Sequence, residues 1–324
     1  MSASAVSIQD EKLKSFGLQK MTVNEEQVVS YSRGLGAASE QNPVLVLIHG
    51  YPQSSFMWRH LIPLLPSDAP IFASDLPGYG ASAPISDNSK YFVGSTVLAA
   101  LLTEAKRTSS KTLDDLPIVL IGHDRGARVA HHLAVQGFPG VSIKGVCLID
   151  IVPTTVQWEA SSKNPAEVVG YFHWPLLANV DLATRMITAF GPGNWCEEMC
   201  LRWAGKTSSA LSSFKADDAL AVYRGFFEQP HTLDASNKDY EAGATVDVEV
   251  EKRWREEGKK IMVKTLLVNS ESYIGKRYDF PEVWKGWVEG AAQFHALGGG
   301  VGHFGAEEAP KETAEALGKW LKGL

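Results

Sequence analysis

The sequence predicts an α/β protein in which a doubly wound, mostly parallel β-sheet carries an inserted helical cap. Two observations predict this class. Short runs rich in Val, Ile and Leu alternate with longer helical segments in the first half of the chain, as they do where helices join parallel strands. The alternation stops after Pro153 and resumes near residue 262, and the residues between are rich in aromatic side chains at helical spacing.

The individual elements follow from these runs. An antiparallel hairpin over residues 21–33 would lie at the sheet edge. Four apolar runs that end in turn residues predict buried strands at 43–50, 70–80, 117–123 and 143–153, with helices at 94–107 and 125–138. After the interruption we expect a strand at 262–271, a helix at 279–290, a strand at 291–299 and a last helix from 306.

The interruption divides the chain into two predicted domains. Residues 154–255 would form the helical cap, inserted after the sixth strand. Residues 1–153 and 256–324 would form one discontinuous core domain. The length of 324 residues allows such a core with a sizeable insertion.

Composition excludes several classes of function. With 44% hydrophobic and 21% charged residues, the chain has the profile of a globular protein. The net charge of -6 and the absence of a basic cluster argue against nucleic-acid binding. The start lacks the apolar core of a secretory signal and no apolar run is long enough for a membrane span, so we expect a cytoplasmic protein.

The cysteines do not predict a metal site. Cys147 lies in an apolar run, and Cys196 and Cys200 are one helical turn apart without further ligands at zinc spacing. We therefore expect reduced cysteines, no metal and no cofactor. The expected partner is a small-molecule substrate with a carboxylate, without nucleic acid or membrane, and a homodimer is left open.

The motif Gly122-His123-Asp124-Arg125-Gly126 lies between a buried strand and an Ala- and Val-rich helix. This is the setting of the nucleophile elbow G-x-S-x-G, with aspartate in the serine position. Glycines permit the sharp turn, and the helix N-terminus favours an anion at its centre. The motif predicts the α/β-hydrolase fold with Asp124 as nucleophile, in preference to an ordinary turn in which Asp124 caps the helix.

The identity of the nucleophile selects the chemistry. A serine adds to a carbonyl carbon, whereas a carboxylate is suited to displacing a leaving group from a saturated carbon. The product of that displacement is an ester, which water then cleaves. Halides and epoxides are the electrophiles that fit.

Other loops supply candidate partners for the nucleophile. The loop at 49–52 follows the third strand, where this fold provides one oxyanion-hole N–H, and Arg125 would provide the other. His303 follows the last strand, where the base of a triad belongs. The acid is left open between Glu271, after the seventh strand, and Asp150, at the end of the sixth.

Eight stretches that span most of the chain carry a family resemblance. They are HGYPQSSFMW (49–58), DLPGYGAS (75–82), GHDRGARVAHHLA (122–134), LIDIVPT (148–154), YFHW (171–174), YRGFFEQP (223–230), DYEAGATVD (239–247) and GHFGAEEAP (302–310). In these stretches the chain resembles the fluoroacetate dehalogenases, in the haloacetate dehalogenase branch of the epoxide hydrolase-like α/β-hydrolases. GHDRGAR, DIVPT and the HW pair are fairly specific to that branch, whereas HG-x-P and DLPGYG are shared with epoxide hydrolases.

The resemblance implies a role for each matching residue. Asp124 matches the nucleophile, His303 the base and Asp150 the acid. Arg125 and Arg128 match the pair that binds the substrate carboxylate. The remaining substrate-binding candidates are His173, Trp174 and Tyr240 for the halide, Trp203 for the pocket wall, and Tyr51 in the loop after the third strand.

The spacing of the two arginines supports the same role. They lie at i and i+3 on the helix after the elbow, so they share one face of its first turn. A polar stripe of this kind is most often solvated. Next to the nucleophile and under the cap, however, two guanidinium groups are costly to bury unless an anion binds them.

Two features depart from the family pattern. Gly305 and Ala306 stand where the family shows Leu-Pro, which would enlarge or loosen the pocket and admit a substrate larger than a haloacetate. The stretch at 103–117 is longer than usual.

The predicted function is displacement of halide from a small 2-halo carboxylic acid through an ester intermediate. One alternative is an epoxide hydrolase with the same triad and a cap tyrosine as proton donor, for which Tyr171, Tyr223 and Tyr240 are candidates. The arginine pair argues against it, since an epoxide needs no carboxylate clamp. A second alternative is a non-catalytic, hormone-receptor-like binding protein on the same fold.

Overall fold

A computed structural model describes residues 4–23, 27–108 and 115–324. The strands are β1 (Gln19–Val23), β2 (Val28–Arg33), β3 (Val44–Ile48), β4 (Ile71–Ser74), β5 (Leu116–His123), β6 (Val141–Ile149), β7 (Lys264–Ser270) and β8 (Ala292–Leu297). The α-helices are α1 (Ala5–Lys14), α2 (Lys90–Thr108), α3 (Arg125–Gln136), α4 (Thr154–Lys163), α5 (Pro165–Gly170), α6 (His173–Leu177), α7 (Val180–Phe190), α8 (Pro192–Trp203), α9 (Ser208–Lys215), α10 (Ala219–Phe227), α11 (Pro230–Ala244), α12 (Val246–Glu257), α13 (Phe280–Trp284), α14 (Gly305–Glu308) and α15 (Pro310–Leu321).

The eight strands form one sheet in the order β1-β2-β4-β3-β5-β6-β7-β8. β1 pairs with β2, and β2 with β4, in antiparallel register, and the other neighbours are parallel. This is the α/β-hydrolase fold, with the predicted doubly wound sheet. The predicted hairpin is present at the sheet edge, and its residues 24–26 lie outside the described part of the chain.

The central strands are apolar because both faces of the sheet are covered. Every residue of β3 and of β5 is buried, which explains their continuous Val, Ile and Leu runs. β4 and β6 end earlier than the runs predicted. β4 stops at Ser74, because Asp75 turns to accept hydrogen bonds from the N–H and Oγ of Ser55 and from the side chain of Gln9.

Helices α4 to α12 lie between β6 and β7, in a stretch of chain that is described without a gap. The predicted helical insertion after the sixth strand is therefore confirmed. Four of its aromatic residues are buried: Phe214, Tyr223, Phe226 and Phe227 are at most 2% exposed. The division into two domains at residues 153/154 and 255/256 stays a prediction.

Two helices in the last part of the chain differ in extent from the prediction. The helix expected at 279–290 is the short α13, because Val288 leaves the helix to pair with Ile261 in a β-bridge. The helix expected from 306 is broken into α14 and α15 at Ala309, whose φ of -134° is not helical.

Residues 109–114 of the long stretch before β5 lie outside the described part. No helix of the described residues has the length and apolar character needed to cross a bilayer.

Candidate active site

The sheet order places two loops at a topological switch point. β4 lies on one side of β3 and β5 on the other, so the chain connections diverge between β3 and β5. Open α/β sheets bind ligands outside the carboxyl ends of strands at such a point. Asp124 follows β5, and the loop at 49–52 follows β3, so the sequence brings both to this position.

Asp124 occupies a strained backbone conformation between β5 and α3. Its φ of 48° and ψ of -119° are unusual for a residue with a Cβ, and such positions are typical of functional sites. The turn is tight enough to require its glycines. A Cβ on Gly122 would meet the backbone of Gly126 and Ala127, and a Cβ on Gly126 would meet the carbonyl oxygens of Ile48 and His49.

The carboxylate of Asp124 has two defined neighbours. The Tyr51 N–H donates to its Oδ1 at 2.9 Å, and His303 Nε2 lies 3.5 Å from its Oδ2. Burial opposes ionisation, but the adjacent His303 and the nearby cations hold the pKa of Asp124 well below its usual range. Asp124 is therefore an anion at neutral pH, as a carboxylate nucleophile must be.

The structure places Asp150, rather than Glu271, beside His303. His303 Nδ1 lies 2.5 Å from Asp150 Oδ2, and the Ser270 N–H donates to Asp150 Oδ1 at 2.8 Å. The side chain of Glu271 is exposed to solvent. The aspartate at the end of β6 thus occupies the position that orients the imidazole, in the arrangement of a triad.

Two carboxylates control the protonation of His303. Burial lowers its pKa, but Asp124 on one side and Asp150 on the other raise it more, to about 9. Burial also raises the pKa of Asp150, against the opposing effect of the His303 contact. The proton therefore resides on the imidazole, and His303 is a cation at neutral pH while Asp124 is charged.

A small cavity opens onto these three side chains. Its volume is about 20 Å³, which is room for roughly one or two water molecules. Its walls are Asp124, Arg128, Asp150, Gln157, Tyr171, His173, Trp174, Trp203, Tyr240, Tyr273, Ile274 and His303.

The four predicted cap residues come together as one aromatic wall. The Tyr240 ring centroid lies 5.7 Å from that of His173 and 5.9 Å from that of Trp174, and His173 lies 4.6 Å from Trp203. His173 Nδ1 and Trp203 Nε1 are buried, without a hydrogen-bond partner among the described residues. Burial lowers the pKa of His173 to about 3, so this imidazole is neutral. The wall thus offers neutral polar groups to a ligand.

The two predicted arginines are placed differently. Arg128 lines the cavity, and no carboxylate of the described residues forms an ion pair with it. Arg125 does not line the cavity. Its Nε lies 2.5 Å from Asp239 Oδ2 and its Nη2 donates to the Asp239 carbonyl oxygen at 2.6 Å, while its guanidinium stacks on the Tyr240 ring at 4.2 Å.

Three other predicted residues have roles or positions that differ from a simple pocket lining. Tyr51 contributes its backbone N–H to Asp124, and its buried hydroxyl accepts from Trp195 Nε1 at 2.5 Å instead of facing the cavity. Tyr223 donates to Glu307 Oε1 at 2.7 Å, away from Asp124, which removes it from the proton-donor candidates. Gly305 and Ala306, which depart from the family pattern, do not line the cavity, and Gly305 packs against the Leu297 side chain.

Sequence reasoning missed Gln157, Tyr273, Ile274 and Asp239. Gln157 and Ile274 belong to segments without a motif, and no local pattern marks them. Tyr273 lies in the loop after β7, where the fold predicts an acid and not an aromatic residue. Asp239 precedes Tyr240, and its pairing with Arg125 joins residues 114 positions apart, which spacing does not reveal.

The arrangement can perform two linked reactions. An anionic carboxylate faces a small cavity beside a cation, so it can attack a saturated carbon of a bound anion. An imidazole held by a second carboxylate lies at the same carboxylate, so it can activate water toward the resulting ester. Within the described residues, no group of three or more His, Cys, Asp or Glu side chains is arranged to hold a metal ion.

Comparisons with known proteins agree with this fold. The model of the alpha/beta hydrolase family matches residues 45–316. A fluoroacetate dehalogenase from Burkholderia sp. is 28% identical over 283 residues, which cover 86% of this chain and 87% of that protein. Bifunctional epoxide hydrolase 2 of Rattus norvegicus is 24% identical over 299 residues, which cover 86% of this chain and 52% of that protein.

A solved structure is similar over nearly the whole chain. It is a variant of a Pseudomonas aeruginosa protein that is provisionally assigned as an epoxide hydrolase, with bound MFA. It is 27% identical, with a TM-score of 0.80, and the match covers 95% of this chain and 96% of that one. On its family match and its fold, the chain belongs to the alpha/beta hydrolase family.

Proposed function

We propose that the chain is a hydrolase that releases halide from a small 2-halo carboxylic acid through an ester on Asp124. The observation that carries this proposal is Arg128, a buried cation that lines the cavity beside Asp124 without an ion-pair partner among the described residues. A 2-halo acid offers a carboxylate to that cation and a carbon–halogen bond to the nucleophile. The similarity to a fluoroacetate dehalogenase over 86% of the chain supports the same substrate class.

The first step is a displacement at the α-carbon. One carboxylate oxygen of Asp124 attacks from the side opposite the halogen, the carbon–oxygen bond forms, and the carbon–halogen bond breaks. The halide leaves with the bonding electron pair. Donors aimed at this developing charge stabilise the transition state more than the ground state. His173, Trp174 and Tyr240 line the cavity, and each of these side chains can donate a hydrogen bond.

The second step is hydrolysis of the ester. His303 takes a proton from water, and the hydroxide attacks Cγ of Asp124. The Tyr51 N–H, which already contacts this carboxylate at 2.9 Å, stabilises the oxyanion. The carbon–oxygen bond of the ester then breaks, His303 returns the proton to the departing oxygen, and the 2-hydroxy acid leaves.

The charge of Asp124 sets the order of the two steps. While Asp124 is ionised, it helps to raise the pKa of His303 to about 9, and the imidazolium is not a base. Ester formation removes that charge. The pKa of His303 then falls, the imidazolium releases its proton to solvent, and the neutral imidazole can deprotonate water once the intermediate has formed.

A second candidate is an epoxide hydrolase. Tyr171 and Tyr240 both line the cavity, and burial raises the pKa of both phenols well above 10, so each keeps a proton to donate to an opening epoxide. The epoxide hydrolase relatives support this alternative. The buried charge of Arg128 favours the 2-halo acid, because an epoxide brings no anion to it.

Product analysis distinguishes the candidates. The protein would be incubated with fluoroacetate, chloroacetate, styrene oxide and a nitrophenyl ester, and halide, hydroxy acid, diol and phenol would be measured. The proposal predicts halide and 2-hydroxy acid in equal amounts. Diol without halide would identify an epoxide hydrolase, phenol alone would identify an esterase, and no product from the whole panel would favour a binding protein.

A further inference from the structure

Gln157 is a buried side chain at the wall of the cavity. The residue is 1% exposed, and neither its Nε2 nor its Oε1 forms a hydrogen bond within the described part of the chain. It lines the cavity together with Arg128 and Asp124. A buried polar group without a hydrogen-bond partner is destabilising. This amide is therefore a candidate for hydrogen bonding to a ligand in the cavity.

Gln157 lies on the same side of the cavity as Arg128. Arg128 Nη1 donates to the Val152 carbonyl oxygen at 2.8 Å and to Thr154 Oγ1 at 3.1 Å. Gln157 follows Thr154 by three residues on α4, so the two side chains are neighbours on one face of that helix. The Arg128 guanidinium therefore lies next to the turn from which Gln157 enters the cavity, and its own Nε has no partner among the described residues.

We propose that Gln157 binds the substrate carboxylate together with Arg128. Gln157 would thereby take the role that the sequence predicted for Arg125. This inference rests on the proposed function. Arg125 already belongs to an ion-pair cluster. Asp239 contacts both Arg125 and Lys90 at 2.5 Å, and Asp247 contacts Lys90 at 3.1 Å, so two carboxylates balance the two cations. A carboxylate has two acceptor oxygens, so the Arg128 guanidinium and the Gln157 Nε2 group can each donate to it.

This pairing separates two tasks. Arg128 supplies the charge that selects an acid over a neutral analogue. Gln157 supplies a neutral donor that fixes the second oxygen, and so the direction in which the α-carbon faces Asp124. A carboxylate placed at residue 157 would pair with Arg128 from within the protein and compete with the substrate.

The first experiment compares wild type with Gln157→Met, which keeps the length of the side chain and removes its hydrogen bonds. The KM for chloroacetate and the Kd for glycolate, measured by calorimetry, should both rise about 10- to 100-fold, as for one lost hydrogen bond to a charged group. The melting temperature should stay equal or rise, because no hydrogen bond within the protein is removed.

Gln9→Met is the matched control. Gln9 is as buried as Gln157, but its amide binds Tyr31, Asp75 and Ser54. This variant should lose thermal stability and keep the wild-type Kd for glycolate. The opposite patterns in the two variants would separate a ligand-binding amide from a structural one.

The second experiment uses Gln157→Glu. Turnover of chloroacetate should fall strongly, while turnover of chloroacetamide, which has the same leaving group and no charge, should be retained. An unchanged KM and glycolate Kd in Gln157→Met would overturn the inference, as would equal loss of both substrates in Gln157→Glu. If wild type releases no halide but Gln157→Met weakens glycolate binding, the proposed reaction is wrong and the binding role of Gln157 stands.

Discussion

Replacing Asp124 by asparagine should lower the pKa of His303 by about 3 to 4 units. In the native site His303 Nε2 lies 3.5 Å from Asp124 Oδ2, and Nδ1 lies 2.5 Å from Asp150 Oδ2. Burial lowers this pKa, and the two carboxylates together raise it to about 9. The Asp124→Asn variant removes one of the two charges at nearly constant shape, as ester formation does in the proposed reaction.

The size of the expected fall in the His303 pKa follows from the distance between His303 Nε2 and Asp124 Oδ2. Two unit charges 3.5 Å apart attract each other by about 5 kcal/mol at an effective dielectric constant of roughly 20. Since 1.36 kcal/mol corresponds to about one pKa unit, the loss amounts to about 3 to 4 units. The pKa of His303 in the variant should therefore be about 5 to 6, slightly below that of a free imidazole.

The assay is an NMR titration of the histidine ring signals between pH 5 and about 10, a window that contains both pKa values. The signal of His303 is assigned by its absence in His303→Asn. Glu271→Gln serves as the control, because Glu271 carries a charge in the neighbouring loop but does not contact His303. A pKa of His303 that stays above about 8 in Asp124→Asn, where about 5 to 6 is expected, would refute the charge switch.

The raised pKa of His303 also makes the free energy of unfolding depend on pH. Because the pKa of His303 is raised above its unfolded value of 6.5, the interaction stabilises the fold fully below pH 6.5 and is lost as pH rises toward 9. The free energy of unfolding of wild type should fall by about 3 kcal/mol across this window from the His303 contribution. The fall should be nearly absent in Asp124→Asn, as urea denaturation at several pH values would show.

Three further predictions concern single side chains around the cavity. Asp150→Asn should slow ester hydrolysis by orders of magnitude and Glu271→Gln should have little effect, since only Asp150 contacts the imidazole; a single-turnover assay that gave the reverse ranking would place the acid after β7. Arg128→Lys keeps the charge but loses the planar fork, so kcat/KM for chloroacetate should drop about 10- to 100-fold while the fold is retained. This prediction is contradicted if wild type turns over neutral halides faster than halo acids. Tyr240→Phe should reduce defluorination of fluoroacetate by about 3 kcal/mol in activation free energy and dechlorination of chloroacetate much less, because small fluoride needs converging donors; equal losses would mean that Tyr240 only shapes the cavity.

The sequence predicted the fold and the tight turn at Asp124 because both depend on local patterns. Apolar runs indicate strands that are buried on both faces. The glycines around Asp124 indicate a tight turn, in which a Cβ at Gly122 or Gly126 would collide with neighbouring backbone. The acid shows the limit of local reasoning. Asp150 and Glu271 both follow parallel strands at the same sheet edge, and only the resemblance favoured Asp150. The structure distinguishes them, because Asp150 contacts His303 whereas Glu271 is exposed to solvent.

The details of the cavity could not be read from the sequence because they depend on pairs far apart in the chain. Arg125 and Arg128 look equivalent on their helix, yet Asp239 pairs with Arg125 and not with Arg128. Gln157 lies in a helix without a motif, and its unpaired amide becomes visible only when its surroundings are known. The extent of the cap could be predicted from the loss of strand patterning, whereas the position of each aromatic ring could not.

The central claim is that Asp124 forms an ester with the substrate, and the mass of the His303→Asn protein tests it most directly. Without the base, the first step can proceed and the second cannot, so the intermediate should accumulate. After incubation with fluoroacetate or with chloroacetate, the peptide that contains Asp124 should gain the mass of one carboxymethyl group, identical for the two substrates because the halide has left. A peptide without this added mass in the presence of released halide, or an adduct on a serine, would contradict the claim.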